Sequence, residues 1–225
     1  MQKLAENLWI KNYPLSVLGT QHGRTVTVIR LQSGKLILHS MAAFSDSDVG
    51  DIRGLGEPAW LMEAMLLHDT YAREGREKFP GLPFFGPEGF GQVVGFTVQP
   101  LLPAPEEWSG EIDVLELQGA PKLKEHAVVH RPSRTLILAD LIFNFRPEER
   151  GWDRFFHRYI AGFKRYPGMS RIFRLCVTDR DAFQKSLARL MALDFDRIIV
   201  GHGELIETDG KALLRRGLAD AGFAC

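Results

Sequence analysis

A short apolar run near the C-terminus, residues 198–200, ends in Gly201, His202 and Gly203, and this limits the chain to folds that bury a strand there. Such a run, bounded by glycines, is typical of a strand in a hydrophobic core. Glycines on both sides leave the histidine at the strand end with little steric cover. The pattern therefore predicts a core strand that ends either in a metal ligand or in a turn or packing histidine.

Composition sets the class of protein. The 225 residues are 45% hydrophobic, so the chain can bury a substantial core, and we predict one domain over residues 1–225. Lys plus Arg and Asp plus Glu both number 28, so no net charge attracts nucleic acid or an anionic membrane surface, although local patches can still occur. Cys176 and Cys225 are too few and too far apart for a disulfide framework. Residues 1–10 lack both the core of a signal peptide and a spanning segment, and the prediction is a cytoplasmic protein without membrane or nucleic-acid partners.

Strand patterns dominate the first two thirds of the chain. Residues 24–40 alternate on either side of a Ser-Gly turn and predict a β-hairpin. The polar residues 44–53 predict a loop, residues 60–67 favour a strand after a short helix, and the charged residues 71–79 suit a solvated helical turn. Further strands are predicted at residues 93–98, 113–118, 126–130 and 135–139.

Helical patterns dominate the last third. Aromatic residues within 152–163 recur at helical spacing, and we expect them to pack in the core. Residues 179–193 begin with a capping pattern and predict a helix, as do residues 208–219, with Thr208 or Asp209 as the cap. Strand blocks separated by helices favour an α/β fold in which helices cover two central sheets.

Four segments resemble the metallo-β-lactamase-like superfamily. They are the Arg-Leu-x-x-Gly-x-Leu pattern that starts at Arg30, the segment around His68, residues 136–140 and the Gly-His-Gly turn. Residues 130–141 read His-Arg-Pro-Ser-Arg-Thr-Leu-Ile-x-x-Asp-Leu and are similar to an uncharacterised branch of the superfamily, the domain of unknown function 4336. The resemblance spans residues 17–220 and implies a metallo-β-lactamase-like αββα sandwich, with two central mixed sheets and helices outside.

The resemblance also implies a set of metal ligands. Superfamily hydrolases carry His-x-His-x-Asp-His after a strand, a mid-chain histidine, an aspartate at a strand end and a late histidine, which together bind two metal ions. With the first position laid on His68, the other three positions of the motif hold Thr70, Ala72 and Arg73. Residues 118–121, where the mid-chain histidine is expected, contain none. Most of the family's ligands are therefore missing.

Three ligands of the family set remain. Asp140 and His202 match the strand-end aspartate and the late histidine, and with His68 they suffice for a single zinc, iron or manganese ion. A second ion needs ligands from outside the family pattern, and the candidates are Asp69 and His39. The alternative for His39 is an imidazole hydrogen-bonded at a strand end, and for Asp140 it is a turn or cap after a core strand.

Three functional hypotheses follow. In the first, the protein is not a conventional dinuclear metallohydrolase, because a hydrogen-bonded network in which Arg73 joins the three ligands replaces the metal centre. In the second, the protein is a mononuclear metal-dependent hydrolase of an ester, lactone or phosphoester. In the third, it is a non-catalytic module that binds a small ligand at an aromatic rim, although the same aromatic residues fit the core equally. Those residues are Trp60, Tyr71, Phe84 and Phe85.

Other motifs favour no further chemistry. Residues 86–91 are rich in glycine but contain no P-loop lysine and do not match a dinucleotide-binding turn. Ser133 lacks the pattern around the nucleophile of serine hydrolases. Its neighbours Arg131 and Arg134 are either an anion site or surface residues of a turn, with Arg134 paired to a carboxylate.

Overall fold

The computed structural model describes residues 1–146 and 151–224. Seven strands form the first sheet: β1 (Gln2–Ala5), β2 (Leu8–Tyr13), β5 (Arg24–Arg30), β6 (Lys35–His39), β7 (Glu57–Met62), β8 (Phe84–Gly86) and β9 (Gln99–Pro100). They are hydrogen-bonded in the order β1-β2-β5-β6-β7-β8-β9. Strands β2, β5 and β6 pair antiparallel, and β6 to β9 pair parallel, so the sheet is mixed.

The second sheet has four strands: β10 (Ile112–Glu116), β11 (His126–His130), β12 (Thr135–Ile137) and β13 (Arg197–Ile199). They lie in the order of the chain, with β12 and β13 parallel and the other pairs antiparallel. A separate small hairpin consists of β3 (Ser16–Val17) and β4 (Thr20–Gln21). This hairpin lies between β2 and β5 in the chain and stands apart from both sheets.

Helices occupy the connections between the strands. The α-helices are α1 (Asp46–Leu55), α2 (Ala72–Glu77), α3 (Phe90–Val94), α4 (Gly151–Phe155), α5 (Arg171–Cys176), α6 (Arg180–Ala192) and α7 (Gly210–Asp220). A π-helical turn, Phe156–Ile160, continues α4, and short 3₁₀ turns occur at Glu106–Trp108 and Arg131–Ser133. Across residues 1–146 and 151–224, none of these helices has the length and apolar character needed to cross a membrane.

Three apolar clusters separate four layers of secondary structure. The cluster between the sheets includes Ile29 of the first sheet and Ile137 of the second. Outside the first sheet, Ile52 of α1 and Phe90 of α3 pack against strands β5 to β7. Outside the second sheet, Leu187 of α6 packs with residues of β11 to β13. The layers are helix, sheet, sheet and helix, which confirms the predicted αββα sandwich.

The candidate ligands lie where strands of both sheets end. The parallel strands β6 and β7 end near residues of β12 and β13, and a backbone hydrogen bond of 2.9 Å from Thr25 N to Gly201 O joins the sheets at this edge. A second bond of 2.7 Å runs from His126 N to Ala64 O. Ligand sites of α/β folds form beyond the carboxyl ends of strands, and this fold places its connecting loops there.

Two local predictions are wrong. Residues 44–53 do not form a loop, because Ser45 caps α1: its hydroxyl accepts a hydrogen bond from Asp48 N, and the Asp48 carboxylate accepts one from Ser45 N. This reciprocal pair is a capping box. Residues 93–98 do not form a strand either, because α3 continues to Val94 and stops at Gly95, whose φ of 71° ends a helix readily.

The aromatic residues of 152–163 divide between core and surface, so the expectation that all of them are core is wrong. Phe156 and Phe163 are buried, but Trp152, Phe155 and Tyr159 are 49%, 48% and 64% exposed. The exposed rings keep helical spacing and adjoin one another, at 5.6 Å for Trp152 and Phe155 and 5.3 Å for Phe155 and Tyr159. They therefore share one face of the segment, and that face lies on the surface.

Candidate metal centre

Three predicted ligands meet at the shared edge of the sheets. His68 Nε2 lies 3.1 Å from Asp140 Oδ1, and His202 Nε2 lies 3.3 Å from the same oxygen. One ligand atom from each residue lies within 4.8 Å of the others, and no second such group of His, Cys, Asp or Glu occurs among the described residues. We call His68, Asp140 and His202 the open cluster.

Steric contacts explain why both neighbours of His202 in the Gly-His-Gly turn are glycines. A Cβ atom at Gly201 would lie 2.6 Å from Ala139 O and 3.1 Å from His68 Cε1, so only glycine leaves room for the histidine ring. Gly203 has a φ of 103°, and a Cβ atom there would lie 2.3 Å from Asn144 O. The turn can therefore bring His202 close to the loop after β12 only with glycine on both sides.

A buried glutamate shapes the loop that carries Asp140. The Glu125 carboxylate accepts hydrogen bonds from the backbone N–H groups of Ala139 at 2.9 Å, Asp140 at 3.0 Å and Leu141 at 3.2 Å. Burial and the Asp140 charge, opposed by the three N–H donors, raise the pKa of Glu125 to about 8. Glu125 therefore fixes the backbone of Asp140 without touching its side chain.

The hydrogen bonds of His202 fix its tautomer. Its Nδ1 lies 2.5 Å from Gly23 O, which only accepts, so Nδ1 carries the proton and donates it. In the neutral ring the lone pair is then on Nε2, and it faces Asp140 Oδ1, which is also an acceptor. Two facing acceptors require a cation between them or a second proton on the ring. Metal-ligating histidines are oriented in this way by a carbonyl on the other nitrogen.

The distances and donor types fit one divalent ion. Two donors that each lie at about 2.1 Å from one ion, at angles of about 90° to 110°, are separated by about 3.0 to 3.4 Å. The two separations from Asp140 Oδ1 to the imidazole nitrogens, 3.1 and 3.3 Å, fall in that interval, and all three donor atoms lie within 4.8 Å of one another. The Nδ1 atom of His68 is buried without a hydrogen bond and lies 3.8 Å from Glu63 Oε2, so the ring stands between the two carboxylates. Two imidazoles and one carboxylate are a donor set that zinc, iron and manganese accept.

Ionisation in the open cluster also suits a metal. Burial and the Arg24 charge, opposed by Asp140, lower the pKa of His68 to about 4. Burial raises the pKa of Asp140, but the two histidines outweigh that effect and hold it well below the usual range. At neutral pH the aspartate is charged and His68 is neutral, which are the forms that bind a metal ion.

A buried ion pair, which sequence reasoning missed, lies behind the open cluster. Arg24 Nη2 donates to Glu63 Oε1 at 2.6 Å and to His68 O at 3.1 Å. Glu63 also accepts from Met41 N at 2.6 Å, and both charged side chains are at most 1% exposed. We call Arg24 and Glu63 the closed cluster. The available signal was a glutamate directly after an apolar strand and an arginine at the start of another.

Three other sequence candidates do not join the centre. Arg73 is exposed and donates to Val94 O at 2.7 Å, so the predicted network with Arg73 at its cation position is wrong. Asp69 is exposed. His39 is buried at the end of β6, and neither ring nitrogen has a hydrogen-bond partner among the described residues. Helix α2 starts at Ala72 and carries Arg73 away from the sheet edge, so Arg24 is the cation that lies nearest to His68.

An apolar cavity of about 250 Å³ opens onto the open cluster. Aromatic and aliphatic side chains form most of its wall, together with His22. These apolar residues include Leu15, Leu67, Phe143, Phe156, Phe163 and Ile172. The ring of Phe143 stacks on that of His202 at a centroid distance of 5.5 Å. The Nε2 atom of His22 is buried with no hydrogen-bond partner.

The predicted aromatic rim lies elsewhere. Trp60, Phe84 and Phe85 are buried in the core, and Tyr71 donates a hydrogen bond to Pro14 O, so none of the four lines this cavity. The expectation for Arg134 is confirmed, because it pairs with Asp194 at 2.9 Å. The aromatic wall comes instead from the segment after Asp140 and the helical segment after Gly151.

Comparisons with known proteins agree with this architecture. No family model and no curated protein match the sequence. Among solved structures, a metallo-β-lactamase from Pontibacter korlensis superimposes with a TM-score of 0.63 at 11% identity over 98% of this chain and 97% of that one. One from Hirschia baltica gives a TM-score of 0.61 at 10% identity, covering 95% and 96%. One from Erythrobacter litoralis gives 0.65 at 11% identity, covering 98% and 91%. These identities establish the metallo-β-lactamase fold alone.

Proposed function

We propose that this protein is a mononuclear metal-dependent hydrolase of a small, largely apolar ester or lactone. The observation that carries the proposal is the geometry of the open cluster, in which two imidazole nitrogens face one carboxylate oxygen at 3.1 and 3.3 Å on the wall of a cavity. His68, Asp140 and His202 would hold the ion. Three protein ligands with an open position are the arrangement of catalytic rather than structural zinc.

The register of the ligand motif supports one ion rather than two. Strand β7 ends at Met62, so the six residues that follow the strand are 63–68. Laid on these residues, the motif places Glu63 at the first histidine and His68 at the last. Glu63 is bound by Arg24 and is unavailable to a metal. In this register the second histidine and the aspartate of the motif fall on Met65 and Leu67, so His68 is the one motif ligand that remains, and with Asp140 and His202 it suffices for one ion.

Charge in the cavity favours a neutral acyl substrate. Arg24 is the cation of the cavity wall, and it is already neutralised by Glu63. The open cluster carries one negative charge from Asp140, so a divalent ion would leave one positive charge. A phosphoester dianion finds no unpaired arginine or lysine among the described residues that line this cavity. Aliphatic and aromatic walls instead stabilise the apolar part of an ester or lactone.

The chain's own residues have defined roles in this scheme. A divalent ion supplies Lewis-acid chemistry, because it lowers the pKa of water and polarises a carbonyl oxygen. Gly23 O and Glu125 orient His202 and the Asp140 loop. Phe143 and Phe163 exclude bulk water from the apolar side of the cavity, which strengthens electrostatic interactions within it.

A second function is favoured by one observation. The distance of 3.1 Å between His68 Nε2 and Asp140 Oδ1 is also a hydrogen-bond length. A metal-free cluster, with a doubly protonated His202, would make the protein a module that binds a small apolar ligand without hydrolysing it. Metal content separates the two functions.

The test begins with elemental analysis of protein purified without chelator. We expect close to one zinc, iron or manganese ion per chain, and about none in Asp140→Ala or His202→Ala. Arg73→Ala is the matched control, because its side chain is exposed and distant from the cluster, and it should retain the metal. Hydrolysis of nitrophenyl esters of increasing acyl length and of lactones should fall at least about a thousandfold in the two cluster variants, which is about 4 kcal/mol of barrier.

Each outcome decides between the hypotheses. Metal-free protein whose fold is intact by circular dichroism contradicts the metal site and supports the ligand-binding module. Two ions per chain contradict the mononuclear centre. Bound metal without hydrolysis of any ester or lactone retains the site but rejects the proposed reaction.

A further inference from the structure

An exposed aromatic ridge borders the cavity mouth. Its members are Leu18 at the tip of the β3–β4 hairpin, Trp152, Phe155 and Tyr159, and they are 74%, 49%, 48% and 64% exposed. The rings of Trp152 and Phe155 stack at 5.6 Å, and those of Phe155 and Tyr159 lie 5.3 Å apart. Soluble proteins rarely leave a contiguous apolar surface uncovered without an interaction that uses it.

The ridge is continuous with the cavity. Trp152 Nε1 donates to Leu18 O at 3.0 Å, which fixes the hairpin tip against α4. Leu18 also lines the cavity, as do the exposed side chains of Leu67 and Ile172. Leu18 therefore joins the apolar ridge to the apolar part of the cavity wall.

A cationic cleft flanks the other end of the ridge. A cavity of about 650 Å³ is lined by Tyr159 and by basic side chains. Two of these have acidic partners: Arg146 pairs with Glu204 at 2.6 Å, and Arg165 pairs with Asp220 at 2.7 Å.

Three cations of the cleft have no carboxylate partner within residues 1–146 and 151–224. Arg158 donates to the backbone oxygen of Lys164 at 3.4 Å, Lys164 donates to the backbone oxygen of Asp220 at 2.8 Å, and Arg154 has no acidic partner there. We call Arg154, Arg158 and Lys164 the cationic cleft. Although the chain has equal numbers of basic and acidic residues, the described side chains that line this cavity are five basic and three aromatic ones.

We propose that the aromatic ridge and the cationic cleft dock this protein on an anionic phospholipid membrane. Tryptophan, tyrosine and aliphatic side chains partition into the interfacial layer of a bilayer, and arginine and lysine beside them bind lipid phosphates. Stable peripheral binding needs both signals. In this orientation the cavity mouth faces the lipid, so apolar molecules dissolved in the membrane reach the cavity without crossing water.

The chemistry of the surface favours lipid over the other anionic partner, a nucleic acid. Leu18 and Ile160 are exposed aliphatic side chains that contribute nothing to stacking with bases. The protein has no net positive charge to attract a polyanion over a distance. A phospholipid bilayer presents an acyl layer next to a phosphate layer. These two layers match the aromatic ridge and the cationic cleft, which lie side by side on this face.

The experiment uses the full chain and vesicles of phosphatidylcholine with or without phosphatidylglycerol. Sedimentation measures binding, and tryptophan fluorescence reports the contact. Of the four tryptophans, Trp9, Trp60 and Trp108 are at most 7% exposed, so a blue shift on adding vesicles arises from Trp152. We expect binding and a blue shift with phosphatidylglycerol vesicles, and a loss of both at high salt.

Paired variants separate the two parts of the surface. Phe155→Ser/Tyr159→Ser should weaken binding by about tenfold or more on vesicles of either composition. Arg154→Glu/Arg158→Glu should remove the preference for phosphatidylglycerol, with a loss on the order of tenfold or more. Controls are Val93→Ser, at an exposed apolar residue on α3, and Lys185→Glu, at an exposed cation on α6, and both should bind like wild type.

Several outcomes would overturn the docking proposal. Wild type that stays in the supernatant with both vesicle types rejects it, as does binding that the controls weaken equally. Binding of a single-stranded RNA oligonucleotide that the arginine variant abolishes, without vesicle binding, assigns the cleft to nucleic acid. A wild-type dimer that Phe155→Ser/Tyr159→Ser converts to a monomer assigns the ridge to a second copy. None of these measurements depends on metal content, so the proposal stands or falls separately from the proposed hydrolase.

Discussion

The closed cluster and the open cluster lie side by side at one edge of the sheets, but they differ in which groups bond and neutralise their polar atoms. In the closed cluster, Arg24 and Glu63 bond each other and nearby backbone groups, and water reaches neither. In the open cluster, two imidazoles share one acceptor oxygen, and Asp140 is 19% exposed to the cavity. In the closed cluster the two charges neutralise each other, although Arg24 Nε makes no hydrogen bond, whereas the open cluster needs a cation or a proton.

This difference separates structural from functional polar residues. A buried ion pair that the protein completes itself contributes little net stability but is costly to break. A polar cluster left incomplete on a cavity wall is a candidate binding site. Substitutions in the closed cluster should therefore act on folding, and substitutions in the open cluster should act on metal and catalysis.

Arg24→Met gives the largest expected loss of folding stability. It leaves the Glu63 charge buried without its partner, and we expect the free energy of unfolding to fall by about 3–5 kcal/mol. Urea denaturation followed by circular dichroism measures it. The double variant Arg24→Met/Glu63→Gln should recover part of the loss, because the remaining amide can still accept from Met41 N. A loss below about 1 kcal/mol would show that water reaches this pair and that the closed cluster is not closed.

Glu125→Gln tests the link between the clusters and the backbone that carries Asp140. The amide NH₂ cannot accept, so one or more of the three backbone N–H donors loses its partner, at a cost of about 2–3 kcal/mol. Metal affinity should fall by about ten- to a hundredfold, as for other residues that orient ligands. Titration of metal-free protein with zinc measures the affinity. If the variant is destabilised but binds zinc as tightly as wild type, the backbone that Glu125 holds does not set the geometry of the metal ligands.

His39→Leu should change the dependence of stability on pH. Burial, together with the nearby His68 and Arg24, lowers the pKa of His39 to about 3. Because the folded value lies below the unfolded value of about 6.5, His39 imposes no penalty above pH 6.5 and destabilises the fold progressively as pH falls below it.

The expected change is a shallower acid slope. Between pH 6.5 and 4, unfolding free energy in the leucine variant should decline by about 1.4 kcal/mol per pH unit less than in wild type. Stability at pH 7 should be equal or higher, because no hydrogen bond of the imidazole is lost among the described residues. Chemical denaturation across this pH range tests both statements. If His39→Leu loses much of its unfolding free energy at neutral pH, the imidazole has a hydrogen-bond partner and His39 belongs to a polar cluster.

Arg73→Ala should have the smallest effect. Its guanidinium donates one hydrogen bond to Val94 O at an exposed site, so the loss of stability should stay below about 1 kcal/mol and metal content should not change. Thermal unfolding and elemental analysis measure these. Loss of metal in this variant would return Arg73 to the centre and contradict the assignment of Arg24 as the nearby cation.

The aromatic residues show where sequence patterns fail. The sequence allows Trp60 and Phe85 either a rim or a core position, and they lie in the core, whereas it predicts Trp152, Phe155 and Tyr159 in the core, and they are exposed. Periodicity identifies residues that share a helical face, but it does not identify what covers that face.

The partners of the buried charged residues are also not predictable from the sequence. Arg24 and Glu63 lie 39 positions apart, and nothing in either local pattern pairs them. The same applies to Glu125, whose role depends on backbone groups of the loop after β12. By contrast, the capping box at Ser45 and Asp48 was present as a local pattern and could have predicted α1.

The sequence alone determined the features with short-range causes. The apolar strand before Gly201, the cap at Asp179 and the succession of strands and helices follow from local patterns, and these led to the αββα sandwich. The motifs also indicate the three candidate ligands His68, Asp140 and His202. Only the tertiary structure decided that they meet at one oxygen, that Arg24 rather than Arg73 supplies the neighbouring cation, and which aromatic side chains reach the surface. The physical reason is that distance, burial and shared hydrogen bonds depend on how the two sheets pack, and no local segment contains that information.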